Sequence, residues 1–185
     1  MASLPTSAQG DWATRSEAEI ATGVLFVHSC PRVLVPHVEW ALAREIGRVV
    51  KLDWEPQPLM PATMRTVANW RGPIGTAASV ASSLFGWQQL RYEISENPLG
   101  GSDGGRWMHT PALGIFHQQT DAAGNGVLSE DVIRAAIERA RGDATALPAL
   151  LLGALGGAWD LELDPFRAAE EGDATIFELP RRSAG

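Results

Sequence analysis

The sequence predicts a mixed α+β fold: a ferredoxin-like split βαβ sandwich extended by a hairpin and C-terminal helices. Three observations predict it. Hydrophobic patterns over residues 20–96 follow the order strand, helix, strand, strand, helix, strand. The first strand candidate is a continuous apolar run, whereas the second and fourth alternate, as one central and two edge strands of a sheet would. Beyond Pro98, two short strand patterns around Thr110-Pro111 precede helical periodicity.

Residues 1–19 are rich in Ser, Ala, Thr and Gly without periodicity and are expected to be a flexible tail. Residues 20–180 read as one α+β domain, with 20–96 the ferredoxin-like half and 97–180 the hairpin and helical extension. GVLFVHS, bounded by Gly23 and Pro31, is the first strand. Pro36 suits a first helical turn, and Val38, Leu42 and Ile46 recur at i+4 spacing until Gly47. In RVVKLDWE (48–55), Val50, Leu52 and Trp54 alternate with Lys51, Asp53 and Glu55, the period of a strand with one wet face. PQPLMP is a loop and MRTVANW (64–70) a third strand. Thr76 is the predicted N-cap of AASVASSLFG, whose Ala and Ser allow close approach to a sheet. LRYEISE (90–96) is the fourth strand, with Leu90, Tyr92 and Ile94 inward.

GGSDGG (100–105) is predicted to be a mobile loop, too long and too polar for a two-residue turn. In the hairpin that follows, alternation puts Arg106 and Met108 on one face and Trp107 and His109 on the other, with Trp107 substantially buried as the anchor. Ser129 caps EDVIRAAIERARG, whose Val132, Ile133, Ala136, Ile137 and Ala140 form an apolar stripe ended by Gly142. LPALLLGALGGAWDLEL (147–163) is apolar nearly all round, which predicts a buried helix. Asp164 and Pro165 then suit the N-cap and N1 of a short helix, and ATIFELP (174–180) a final strand.

Hydrophobic residues make up 45% of the 185 and charged ones 20%, a globular composition far from that of a disordered chain. The net charge is −7 and the basic residues are scattered, with no run longer than Arg181-Arg182, so neither nucleic acid nor an anionic membrane is an expected partner. Of 15 basic residues only Lys51 is a lysine, which reads as coding bias. A lone cysteine, Cys30, excludes an intrachain disulfide framework and fits a reducing compartment. The N-terminal segment lacks the apolar region of a signal peptide, and no apolar run reaches the ~18 residues of a membrane span. A cytoplasmic location is expected.

No catalytic group, metal site or cofactor is expected from the spacing. DAAGNGVLSED starts like a calcium loop but has Ala123 at its third position and Val132 at its twelfth. His28, His37, His109 and His117 show no ligand spacing, although the fold could bring His28 and His109 together. Cys30 stands two residues from His28, but Pro31 breaks the strand there. The candidate ligand residues are Arg71, Gly72, Gly75 and Thr76, a glycine turn opening a helix whose free N–H groups suit phosphate or carboxylate, together with Arg106, Trp107 and His109. Asp160, Glu162 and Asp164 read as a solvated acidic face.

Taken together, GVLFVHS, PHVEWA, GPIGT, DGGRWMHTPALGIF and AWDLELDPFR, between Gly23 and Arg167, resemble the actinobacterial domain-of-unknown-function family numbered 3145. The resemblance implies no catalytic residues. It implies Ala where this chain has Cys30, which argues against a thiol mechanism, and a link to fatty-acid synthesis. The expectation is a non-catalytic cytoplasmic binding or regulatory protein with a protein partner. The alternative is a small-molecule enzyme or ligand-binding domain in which the seven candidates converge on a small anionic ligand, such as an acyl thioester.

Overall fold

The computed structural model describes residues 20–171, so the tail predicted at 1–19 and the strand predicted at 174–180 lie outside the described residues. In chain order the elements are β1 (Ile20–Pro31), α1 (Val35–Ile46), β2 (Glu55–Pro56), β3 (Thr63–Pro73), α2 (Thr76–Leu84), β4 (Arg91–Glu96), β5 (Gly104–Thr110), β6 (Gly114–Thr120), α3 (Glu130–Ala140), α4 (Ala146–Ala154) and α5 (Gly157–Glu171). The fold is mixed α+β. Among the described residues the strands form one six-stranded sheet in the order β2-β3-β1-β4-β5-β6, antiparallel at every step. As the apolar run predicts, β1 is interior, between β3 and β4, and β2 lies at an edge. β4 is interior instead of at the edge, because the hairpin of β5 and β6 pairs onto it.

Alternation divides the sheet cleanly. Leu25, Val27, Trp70, Tyr92 and Ile94 face α1 and α2 and pack with Val38, Leu42, Val80 and Leu84 into the core. Each such side chain contributes about 1.5–3 kcal/mol by leaving water. Tyr92 ties the layers together, its hydroxyl donating to the Ala81 carbonyl at 2.8 Å.

The segment 48–55 is not the predicted strand; only Glu55 and Pro56 pair, with Arg65 and Met64. The reason is Glu39 of α1, 8% exposed, whose carboxylate accepts from the Leu52 N–H, the Lys51 ammonium and the Trp54 indole at 3.1, 2.8 and 3.3 Å. A side chain supplies the partner that a strand would have supplied. Val50, Leu52 and Trp54 still turn toward the core, so the alternation was a guide to burial and not to pairing.

The glycine stretch divides into two parts. Gly100 and Gly101 both adopt positive φ, +58° and +91°, and make a two-residue turn closed by the Ser102 N–H donating to Leu99 at 2.9 Å, which corrects the loop prediction. Gly104 and Gly105 belong to β5, where a Cβ on Gly105 would stand 2.6 Å from the Trp107 ring. Trp107 is half-buried, less than expected, and stacks on His117 with centroids 4.4 Å apart.

The predicted buried helix over 147–163 is two helices, broken at Leu155-Gly156 and bent by 65°. None of α4 is buried. Pro165 lies inside α5 and Asp164 does not cap it; the hydrogen bond lost at Pro165 is that to Leu161, on the exposed side of the helix. Among the described residues no single helix is long and apolar enough to cross a membrane. Ser129 does cap α3, accepting from the Val132 N–H at 3.4 Å. On the α3 stripe only Ala136 and Ala140 are buried.

Candidate functional site

The seven candidate ligand residues do not converge. Thr76 and His109 lie on the helix-covered face but at opposite ends of α2, since His109 packs against Phe85, which follows the helix. Trp107 shares that face, where it stacks on His117. Arg71 and Arg106 project from the other face, with Thr22 and Ser95 as their register partners. His28 and His109 are likewise separated by the sheet.

Gly75, not Thr76, is the N-cap of α2, and the Thr76 hydroxyl donates to the Pro73 carbonyl at 2.6 Å. Gly72 lies under that hydroxyl, 2.7 Å from where its own Cβ would be. The anion predicted for this helix start is supplied by the chain itself. Glu96, at the end of β4, accepts from the Gly75 N–H at 2.8 Å and the Ala77 N–H at 3.0 Å. A carboxylate at a helix N-terminus satisfies orphan donors and complements the dipole. His109 is similarly engaged: its Nδ1–H donates to the Leu90 carbonyl at 2.9 Å, its ring stacks on Tyr92, and burial pushes its pKa down.

The densest set of charges lies on the second face, beneath α5, and is centred on Glu93. With Glu93 ionised, the fully buried His28 donates through Nε2 to Glu93 Oε1 at 2.7 Å. Arg167 donates to the same oxygen at 2.7 Å, and Arg106 holds Oε2 through its Nε at 2.9 Å and its Nη2. Asp160 then bridges the two guanidinium groups at 3.0 Å each. Burial acts to raise the Glu93 pKa, but bonds from His28 and Arg167 and the Arg106 charge hold it well below the usual carboxylate range. The Arg167 pKa is raised by the same pairing. Alongside, Glu162 accepts from the Thr110 hydroxyl at 2.7 Å and stands 3.5 Å from Arg91. The solvated acidic face is therefore corrected: Asp160 and Glu162 point at the sheet, and only Asp164, paired to Arg167 at 2.6 Å, is largely exposed.

Glu93 and Glu96 were not among the candidates. A signal was present, since inward Tyr92 and Ile94 put Arg91 and Glu93 on the opposite face with Arg106, and α5 carries the matching Asp160, Glu162 and Arg167. The chemistry of this cluster is docking: Glu93 and Asp160 meet the guanidinium groups of Arg106 and Arg167, and Glu162 stands beside Arg91. Cys30 is buried, and burial pushes its thiol up to about 12, so the thiolate needed for nucleophilic attack is absent near neutral pH. Among the described residues no three His, Cys, Asp or Glu side chains are grouped to hold a metal ion.

Two clefts remain. One of about 450 Å³ lies between α1, residues 48–53 and β3. The other, of about 440 Å³, is lined by Ser95, Glu96, Arg106 and Thr120.

The family described as "Protein of unknown function (DUF3145)" matches residues 24–179. The chain belongs to this family. The match covers the described elements from Val24 of β1 to the end of α5, so the Glu93 cluster and the α2 cap both lie within the part shared with DUF3145. No curated protein and no solved structure matches the chain.

Proposed function

We propose that this DUF3145 protein is a non-catalytic, cytoplasmic binding or regulatory protein that meets a protein partner through the apolar surface of α3 and α4. The observation that carries the reading is α4 itself: ALPALLLGA is apolar nearly all round, yet no residue of it is buried, and Leu152 is 60% exposed. Beside it, α3 leaves Val132, Ile133 and Ile137 exposed along one stripe. Contiguous exposed apolar surface of this kind marks interaction sites, and covering each aliphatic side chain contributes about 1.5–3 kcal/mol. The groups able to do chemistry, by contrast, are engaged within the fold: Glu93 and Glu96 by cations and helix N–H groups, His109 by a carbonyl, Cys30 by burial. The link to fatty-acid synthesis that the resemblance implies names the machinery from which the partner is drawn.

The test is affinity capture from an extract of the source organism, with the full chain and with Ile137→Asp/Leu152→Asp. A protein retained by the first and lost by the second, at unchanged melting temperature, supports the reading. Equal retention by both, or turnover of an acyl thioester by the purified chain, refutes it. A second reading, a small anionic ligand, is favoured by one observation, the position of Arg106 on the 440 Å³ cleft. A rise in melting temperature with coenzyme A or phosphopantetheine, abolished by Arg106→Gln, would favour it over the first.

A further inference from the structure

β3 outruns its outer partner. β2 pairs only with Met64 and Arg65, while β3 continues to Pro73, so among the described residues no strand lies against its outer edge from Val67 onward. The Gln57 N–H donates to the Thr63 carbonyl, which sets the outward-facing backbone groups of β3 at odd positions, including Val67, Asn69 and Arg71. Residues 48–54 lead into β2 along this edge but stand off it, and the 450 Å³ cleft opens between them and residues 67–70. Carried backward from Glu55 opposite Arg65, the β2 register sets Asp53 opposite Val67, Lys51 opposite Asn69 and Val49 opposite Arg71 as hydrogen-bonded pairs, with Leu52 opposite Ala68 and Val50 opposite Trp70 between them. The side chains suit that register. Val50, Leu52 and Trp54 already turn toward the core, on the Trp70 side, and Val49, Lys51 and Asp53 are exposed.

We infer that residues 48–54 are a strap with two positions, one held off the sheet by Glu39 and one paired to β3 as an extension of β2. In the open position the Glu39 carboxylate accepts from the Lys51 ammonium, the Leu52 N–H and the Trp54 indole. The Lys51 bond belongs to that position alone. α1 packs on the Trp70 face of the sheet, whereas the side chain of a paired Lys51 lies on the opposite face with that of Asn69, away from Glu39. Closing exchanges this ion pair for up to about six backbone hydrogen bonds, two for each hydrogen-bonded pair. It also brings Val50 and Leu52 over the cleft, against Leu25, Leu42 and Trp70. The latch is light, since the Lys51 side chain is 84% exposed and ion pairs open to water contribute little, so removing either charge moves the strap. Its position decides whether the β3 edge is sealed by the chain itself or left as a template for another strand. The inference does not rest on the α3–α4 surface, so either can fail alone.

The test is nuclear magnetic resonance with amide exchange on the full chain, unaltered and as Lys51→Ala and Glu39→Gln. In the unaltered chain the amides of Val67, Asn69 and Arg71 are expected to exchange quickly. In Lys51→Ala they should exchange at least about tenfold more slowly, and Hα–Hα contacts should appear between Leu52 and Ala68 and between Val50 and Trp70, the close pairs of this register. Because Lys51 is exposed, its replacement leaves the core intact; the Ala68 and Trp70 amides, paired with β1, should keep their protection and so report that each variant is folded. Glu39→Gln, which keeps an acceptor for the Leu52 N–H without the charge for Lys51, should act in the same direction. Adding Asp53→Pro to Lys51→Ala removes the donor opposite Val67 and should reverse the gain. Strong protection already present in the unaltered chain, no gain in either single variant, or a gain without the Leu52–Ala68 contact, as when a second copy supplies the strand, would each overturn the inference.

Discussion

Replacing Glu93 with alanine is the sharpest perturbation of the α5 interface. The carboxylate accepts from His28, Arg106 and Arg167, and its loss leaves a buried histidine and two guanidinium groups around an empty centre. Removing one partner of a buried ionic set costs about 3–5 kcal/mol. The lower end applies, because Arg106 and Arg167 are 29% and 26% exposed and both keep Asp160. About 3 kcal/mol corresponds to a fall in melting temperature of roughly 6–12 °C for a chain of this size. Glu93→Gln keeps an acceptor for His28 without the charge and should lose about half as much. Urea unfolding followed by the fluorescence of the seven tryptophans measures both. The dependence on pH has a definite sign. A carboxylate whose folded pKa is depressed stabilises the fold above its ordinary value of 4.5, and that contribution is lost as pH falls below 4.5 through the folded value. The unaltered chain and Glu93→Gln should therefore differ at neutral pH and converge in acid. A loss under about 0.5 kcal/mol for Glu93→Ala, within the range of surface substitutions, would refute the claim that this network holds α5 to the sheet.

Three further outcomes follow from the geometry. Glu96→Ala should destabilise by about 1–2 kcal/mol, as loss of a cap does, and raise amide exchange at Gly75 and Ala77 before the rest of α2; equal exchange in the two proteins would show that water replaces the carboxylate without cost. Trp107→Ala should cost about 3 kcal/mol, the low end for a core aromatic, because the ring is half-buried over Gly105 and against His117; a variant of unchanged stability would mark Trp107 as a recognition residue. Cys30 should resist thiol reagents at pH 8 in the native protein and react fully in urea, and rapid native labelling would contradict its burial and raised pKa.

Periodicity carried most of the fold and little of the polar chemistry. The apolar run of β1, the i+4 spacing of α1 and the alternation of β5 are local consequences of burial, and all three stand in the structure. Residues 48–55 show where that reasoning ends: alternation places side chains, but Glu39, distant in sequence, captures the backbone that a strand would have used. α4 failed for a related reason, since an all-round apolar pattern favours burial without supplying the surface that would bury it. The helix start at Thr76 was read as an anion site from physics that holds; the anion is Glu96, from a strand that joins the helix only in three dimensions. Glu93 could be placed opposite Tyr92 and Ile94 from the sequence, whereas its three donors come from β1, β5 and α5 and required the fold.

The central claim is that a protein partner covers the apolar surface of α3 and α4. The measurement that tests it most directly is calorimetric titration of the captured partner at several temperatures, because burial of apolar area gives a negative heat-capacity change whatever the enthalpy at one temperature. The claim predicts stoichiometric binding with a clearly negative heat-capacity change, and loss of both with Ile137→Asp/Leu152→Asp. Binding with a heat-capacity change near zero, or binding that the double variant leaves intact, would contradict it.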